Sequence, residues 1–288
     1  MKQSVLVLLT ALLCTSCLKD EVSDCTGYIR LSFLYDESVE GFDNQIGNDV
    51  HLRIYRNNIL QSVGVIPYAS ISGGQEYLIR KEVTGEIDIV AWAIPSNEDF
   101  VGEIPSVSED RSKTGELLTM SPTTRGSLYR STGLLYLGTM THEETSLTGE
   151  SAYRVGMRDC IAQFTAAIHN VPEYFMPGHE ESVWLVVEGT KSEMDIDFNP
   201  RGEDAEVYAE FTELAENHVI RTDRQGLLPS GEDQYLVVRI YRGEDYLGRI
   251  VTDIQSRPGD VIHLDIYRDR VTIQVNDWRV FEDTNSWL

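Results

Sequence analysis

The sequence predicts an all-β protein, with two β-sandwiches in succession behind a short exported leader. Three observations carry that prediction. Short runs with an apolar residue at every second position recur along the chain, separated by Gly, Asn and Pro-Gly turns, which is the period of half-buried strands. No amphipathic helical pattern longer than two turns occurs between those runs, so βαβ units are not indicated. The opening residues differ in kind from all that follows.

Met1-Lys2 is a positive start, and Val5 to Cys14 is an apolar run broken only by Thr10. Thr15-Ser16 are small, Cys17 follows, and Leu18-Lys19-Asp20-Glu21 turns polar. A basic start, an apolar stretch of roughly 10 residues and a small-residue cleavage site make a secretory signal too short to span a bilayer. The Cys placed directly after the small pair resembles a bacterial lipobox, in which the peptidase cuts before the Cys and the Cys is acylated. Cys14, three before Cys17, stands where Leu is usual, and Leu13 is too large to make Cys14 the acylated residue. The expectation is a signal peptide over 1–16 and a lipidated tether over 17–26, so that the mature protein works outside the cytoplasm, hanging from a membrane. Multiple acyl chains hold where a single chain does not.

The strands follow in order. Ile29, Leu31, Phe33 and Tyr35 alternate with Arg30, Ser32 and Leu34, and an acidic loop runs from Asp36 to Asp49. Val50, Leu52 and Ile54 alternate again, and Asn57-Asn58 separates them from Ile59–Ile66. Asn tolerates positive φ, so this pair reads as a tight hairpin. Gly73-Gly74 and Thr84-Gly85 punctuate strands expected at Tyr77–Val83 and Ile87–Ile94. From Pro95 to Gly133 the pattern dissolves, and that length is too great for a bare connector. We expect irregular structure there, packed on the first sandwich, with one short strand. Leu134–Leu137 restores a strand, and the polar stretch His142–Ser151 marks the expected boundary between sandwiches at 27–150 and 151–288.

In the second half Cys160, Ala162, Phe164, Ala166 and Ile168 alternate, and Val183–Val187 is continuous enough for a central strand. Val207–Phe211 and Val219-Ile220 are weaker. Gly243-Glu244-Asp245 separates Gln234–Arg242 from Tyr246–Thr252 as a hairpin. Ile262, Leu264 and Ile266 occupy even positions, whereas Val271, Ile273 and Val275 occupy odd ones. One flat strand cannot bury both sets on one face, so a bulge or turn is required near Arg268-Asp269-Arg270.

Composition narrows the function. Formal net charge is −23, from 24 Lys and Arg against 47 Asp and Glu. That excludes phosphate-backbone binding, which requires clustered cations, and no nucleic-acid partner is expected. Cys25 and Cys160 remain once the leader is set aside. An oxidising compartment allows them to pair, but no spacing rule joins them, and separate thiols with Cys160 in a core are favoured. The six His show no metal-ligand spacing, and there is no nucleophile elbow, phosphate-binding loop or dinucleotide fingerprint. Neither a metal nor a cofactor is expected, no catalytic residue is assigned, and the chain is not expected to be an enzyme. Asp195 and Asp197 flank Ile196 and would share a strand face, where a solvated pair is the plainer reading than a glycosidase pair. Trp92, Trp184, Trp278 and Trp287 offer material for a sugar platform, although core packing or an interface suits the first three better.

With the lipobox and both β series set out, the sequence resembles the FimB-type fimbrial anchor lipoproteins of fimbrillin (type V) pili. The carrying residues are Cys17 through Cys25, Gly27-Tyr-Ile-Arg-Leu-Ser-Phe33, Val50-His-Leu-Arg-Ile-Tyr55 and Val271-Thr-Ile-Gln-Val-Asn-Asp-Trp278. Lys19-Asp20-Glu21 is also similar to the Lys-then-acidic signal that sends some lipoproteins to the cell surface. The resemblance implies two transthyretin-like sandwiches, an outer-membrane location through acyl chains on Cys17, and attachment of a pilus base, made of fimbrillin, to the cell. It also implies a limit on fibre length. Pilus subunits of this kind join by strand donation. The segments expected to exchange are the alternating ones nearest the ends, with Ile29, Leu31 and Phe33 in one and Val271, Ile273 and Val275 in the other. The alternative function is that of a surface glycan-binding lipoprotein in a nutrient-uptake system.

Overall fold

The computed structural model describes residues 27–35, 49–82, 84–95, 102–124, 127–171, 182–213, 218–276 and 278–283. The lipobox, Cys25, most of the acidic loop at 36–49 and Trp287 lie outside the described residues. Among those residues the only helical element is a 3-10 turn at Tyr68–Ser70, and no helix is long and apolar enough to cross a membrane. The chain is all-β, as expected.

In chain order the first part holds β1 (Tyr28–Tyr35), β2 (Val50–Arg56), β3 (Ile59–Ile66), β4 (Tyr77–Arg80), β5 (Gly85–Ala93), β6 (Leu117–Thr119), β7 (Leu128–Tyr129), β8 (Tyr136–Glu144) and β9 (Glu150–Asp159). Seven of these form one sheet in the order β3-β2-β5-β8-β9-β1-β4. The Asn57-Asn58 turn between β2 and β3 has both residues at positive φ, 49° and 66°, as a two-residue hairpin of matching twist requires. Ile29, Leu31, Phe33, Val50, Leu52, Ile54, Ile87, Ile89, Val155 and Met157 bury themselves on one face, and the sheet curls around them. β5 is covered on both faces, because Val90 and Trp92 on its other side join the second core.

That second core belongs to β10 (Ala162–Ile168), β11 (Val183–Asp195), β12 (Pro200–Glu213), β13 (Ile220–Thr222), β14 (Gln225–Leu227), β15 (Val237–Arg242), β16 (Asp245–Val251), β17 (Val261–Ile266), β18 (Val271–Val275) and β19 (Trp278–Asp283). The order is β16-β15-β11-β12-β13-β10-β17-β18-β19. β12 is the corner strand. It pairs with β11 up to Glu210, then with β13 from Phe211 onward. The sheet is thereby folded into two layers, whose inner faces meet as Leu185, Val187, Val207 and Val238 against Phe164, Ala166, Ile262 and Leu264. This is how a sandwich buries alternate residues of both sheets.

The parity argument at the chain end holds. β17 and β18 are an antiparallel pair with Leu264 opposite Ile273, and Tyr267 N–H donates to the Arg270 carbonyl at 2.8 Å to close the turn. Two other expectations are corrected. Residues 95–133 do not belong to the first sandwich alone: β6 pairs with β11 and β7 with β12, both in the second sheet. Each strand is three residues or shorter, so neither leaves a periodic signal. The polar stretch 142–151 is no boundary between sheets. It is the end of β8 and the turn into β9, and β9 pairs with β8 and, in parallel, with β1. The change of sheet comes at Cys160-Ile161, after β9.

Candidate functional site

The two parts are locked together on the outer face of the first sheet. Arg53 and Tyr55 project from β2, Trp92 from β5, and all three meet Glu116, which precedes β6. Arg53 and Trp92 donate to Glu116 Oε1, Tyr55 donates to Oε2, and Arg53 also reaches the Pro105 carbonyl. Glu116 is wholly buried. Burial, with the hydrogen bond and charge of Glu116, pushes the Tyr55 hydroxyl pKa well above its ordinary value. The folded state therefore retains the Tyr55 proton at a pH where the unfolded chain has lost it, and stability falls as pH rises above about 10. Denaturation midpoints across pH 9–11 check this: Tyr55→Phe should flatten the slope, and equal slopes in both proteins would refute it.

Function depends on which strands have a free side. β1 pairs with β9 along its whole length and with β4 only over Tyr28–Leu31, so Ile29 and Leu31 have strands on both sides and Phe33 has β9 alone among the described residues. β18, with Val271, Ile273 and Val275, is flanked by β17 and β19. β18 and the first half of β1 are thus interior to their sheets, and Ile29, Leu31, Phe33, Val271 and Ile273 are core residues. The expectation that these segments lie at sheet edges is corrected for Ile29, Leu31 and Val271–Val275. Alternation marks one buried face and does not report whether a strand has neighbours on both sides. Among the described residues the strand order ends at β3 and β4 in the first sheet and at β16 and β19 in the second, and the short β6, β7 and β14 each pair on one side only. β3 and β4 both border one cleft of about 130 Å³, into which Ile29, Ile54 and Ile87 also face.

Other sequence candidates fall as follows. Cys160 is a free, fully buried thiol, 3.1 Å from the Leu135 carbonyl, and burial pushes its pKa up. Asp195 ends β11, and Asp197 lies in the turn beyond it. Instead of presenting a paired carboxylate on a strand face, Asp195 accepts hydrogen bonds from the backbone of Asp197 and Asn199 and from the side chains of Asn199 and Arg201. Burial alone would raise the Asp195 pKa; these bonds outweigh it and hold it low. Trp92 is core. Trp184 lies on the outer face of the second sheet, stacked on Tyr241 at 4.2 Å, with Tyr246 edge-on to Tyr241 at 5.6 Å. The three come from β11, β15 and β16. Sequence reading missed the two Tyr because only strand pairing makes them neighbours. His263 is half-buried, with Nδ1 2.6 Å from Thr165 Oγ1. His169 is 2.7 Å from Asp265 and stacks on Tyr267. These contacts cross the parallel pair β10 and β17, so no local spacing announces them.

The model of the Mfa2 family, described as fimbrillin-A associated anchor proteins Mfa1 and Mfa2, matches residues 22–283. This chain belongs to that family. The family is one of fimbrial anchor proteins and not of enzymes, and its members associate with fimbrial subunits at the cell surface. No curated protein matches the sequence. Among solved structures, the fimbrial anchor protein Mfa2 from Porphyromonas gingivalis is 15% identical, with a TM-score of 0.58, over 91% of this chain and 100% of that one. A candidate polysaccharide-binding protein from Bacteroides thetaiotaomicron is 12% identical, with a TM-score of 0.61, over 91% and 100%. A candidate adhesin from Bacteroides ovatus is 13% identical, with a TM-score of 0.59, over 89% and 94%. At these identities the three structures show a shared fold, in agreement with the family match.

Proposed function

We propose that this Mfa2-family chain is an outer-membrane lipoprotein, acylated at Cys17, that anchors the base of a fimbria and limits its length. A fimbrillin shaft subunit is its partner, joined by strand complementation. The division into two β units, which the sequence places at 150–151, is drawn here at the sheet change beside Cys160. The observation that carries the reading is the family match across 22–283. The lipobox around Cys17 supports the tether, and the sheet edges at β3, β4, β16 and β19 supply backbone groups for a partner's strand.

Cys17→Ala tests the tether. Palmitate label should vanish from the variant, the protein should move to the soluble fraction, and fimbriae should be shed into the medium. Palmitate that persists in Cys17→Ala would overturn acylation at this residue.

Surface glycan binding is the second reading, favoured by the outer row Trp184, Tyr241 and Tyr246. It ranks below the anchor because the family match favours the anchor, and because Trp184 and Tyr241 each cover one face of the other while Tyr208 lies tilted against Trp184, which leaves less open aromatic face for a sugar ring. Glycan-array binding that depends on Tyr246 would reverse that order.

A further inference from the structure

We infer that the seam between β3 and β4 is the acceptor for the fimbrillin strand, and that it selects a strand with bulky aliphatic side chains at alternate positions. This rests on the strand-complementation reading above and specifies its site.

The first argument is the character of β3. Edge strands are normally protected from pairing by charge, proline, shortness or a cover. β3 runs eight residues, Ile-Leu-Gln-Ser-Val-Gly-Val-Ile, with no charge and no proline. The loop at Arg111–Thr114 covers only its start, through Leu60 N–H to the Arg111 carbonyl and a bridge from Ile59 to Ser112. From Gln61 to Ile66, β2 is its only strand partner among the described residues. Val63 and Val65 are 54% and 49% exposed. Across the seam, Leu78 on β4 is 54% exposed. In a chain of net charge −23, an uncharged apolar edge of this length is conspicuous as a site for backbone pairing.

The second argument is what the inner side of β3 leaves empty. The register shifts by one residue between Ile54 and Tyr55, so Leu60 lies opposite Tyr55 while Ser62 lies opposite Ile54 and Gly64 opposite Leu52. Gln61 is the extra residue of a bulge. Ser62 and Gly64 therefore occupy the layer that Ile54 and Leu52 fill on β2, and both are small. A Cβ added at Gly64 meets nothing within 4 Å. The cleft beside Ser62 is lined by Ile29, Ile54, Ile79 and Ile87, together with Gln61, Arg80, Lys81 and Glu82. A strand laid along β3 would satisfy its outward backbone groups and place aliphatic side chains into that space.

The test uses the full-length lipoprotein and a purified fimbrillin shaft subunit. Ser62→Ile fills the cleft from within and should keep or raise the melting temperature while weakening fimbrillin binding at least about tenfold. Val63→Lys with Val65→Lys, both at exposed positions, should weaken binding similarly. Tyr235→Lys, at an exposed position ahead of β15 in the second sheet, should leave it unchanged. Bound fimbrillin should slow amide exchange over Gln61–Ile66. If the wild type binds but Ser62→Ile and the lysine pair bind equally well and those amides stay unprotected, the seam is not the acceptor, although the anchor reading survives. If the wild type does not bind a fimbrillin subunit at all, the anchor reading fails and this inference with it.

Discussion

Glu116→Ala should destabilise the protein by about 3–5 kcal/mol, the usual cost of removing one partner from a buried ion pair. The Arg53 side chain is 5% exposed and that of Glu116 is 0%, so solvent cannot replace the lost carboxylate. Its removal leaves the guanidinium with the Pro105 carbonyl, and leaves the Tyr55 hydroxyl and Trp92 Nε1 without their acceptor. Unsatisfied buried donors carry a desolvation penalty of their own. Urea denaturation at pH 7 measures the loss. Glu76→Ala is the control: its contact with Arg30 is 3.5 Å long and more than two-fifths exposed on both sides, and exposed pairs contribute about 0–1 kcal/mol. Replacing both members, Arg53→Met with Glu116→Leu, should recover part of the deficit, since neither charge then remains to be desolvated. A loss below about 1 kcal/mol for Glu116→Ala would refute a structural role for this cluster. The segment most affected should be the stretch before β6, which Glu116 and Pro105 tie to β2, and amide exchange there should rise.

Lys81→Met should cost about 3 kcal/mol at neutral pH and make stability fall less steeply on the acid side than it does in the wild type. Lys81 Nζ donates to Glu144 Oε1 at 2.9 Å and to Ser151 Oγ at 2.8 Å, beside β4, with both charged side chains 3% exposed. In the native protein burial pushes the Glu144 pKa up. Hydrogen bonds from Lys81, the Ser146 backbone and Ser151, together with the Lys81 charge, outweigh burial and hold it below its ordinary value. A lowered folded-state pKa contributes stability above the unfolded value, and that contribution is lost as pH falls. Without the ammonium, burial dominates and the pKa moves above the unfolded value. The Glu144 contribution in Lys81→Met should then grow as pH falls through the carboxylate range, so the variant's stability declines less steeply than that of the wild type. Thermal midpoints between pH 3 and 7 show the difference in slope, and parallel curves for the two proteins would overturn the assignment. β4 is one wall of the proposed acceptor seam, so the same variant should also loosen Tyr77–Arg80 to amide exchange.

Much of this architecture is legible in single residues. The two Asn at 57 and 58 announce the β2–β3 hairpin because few other residues accept two consecutive positive φ angles. The change from even to odd apolar positions after Ile266 demands the β17–β18 turn, because side chains alternate with period two. The lipobox pattern at Cys17, the acidic balance and the family resemblance are likewise properties of the sequence alone. Tertiary structure decided who stands beside whom. Ile29 alternates like an edge residue, yet β1 pairs with Ser151 on one side and Ile79 on the other. Leu117–Thr119 shows no strand period and still completes a sheet of the other half. Trp184, Tyr241 and Tyr246 become one row only through register. The physical reason is that periodicity records which face of a strand is buried, a local matter of side-chain direction. Hydrogen bonding in the plane of the sheet is made by the backbone, which every residue carries alike, so the choice of neighbour follows from packing of the whole chain. β3 stands at the meeting of the two. Its lack of charge could be read at once, but only the assembled sheet, with β2 on one side and the cleft on the other, makes that strand an edge.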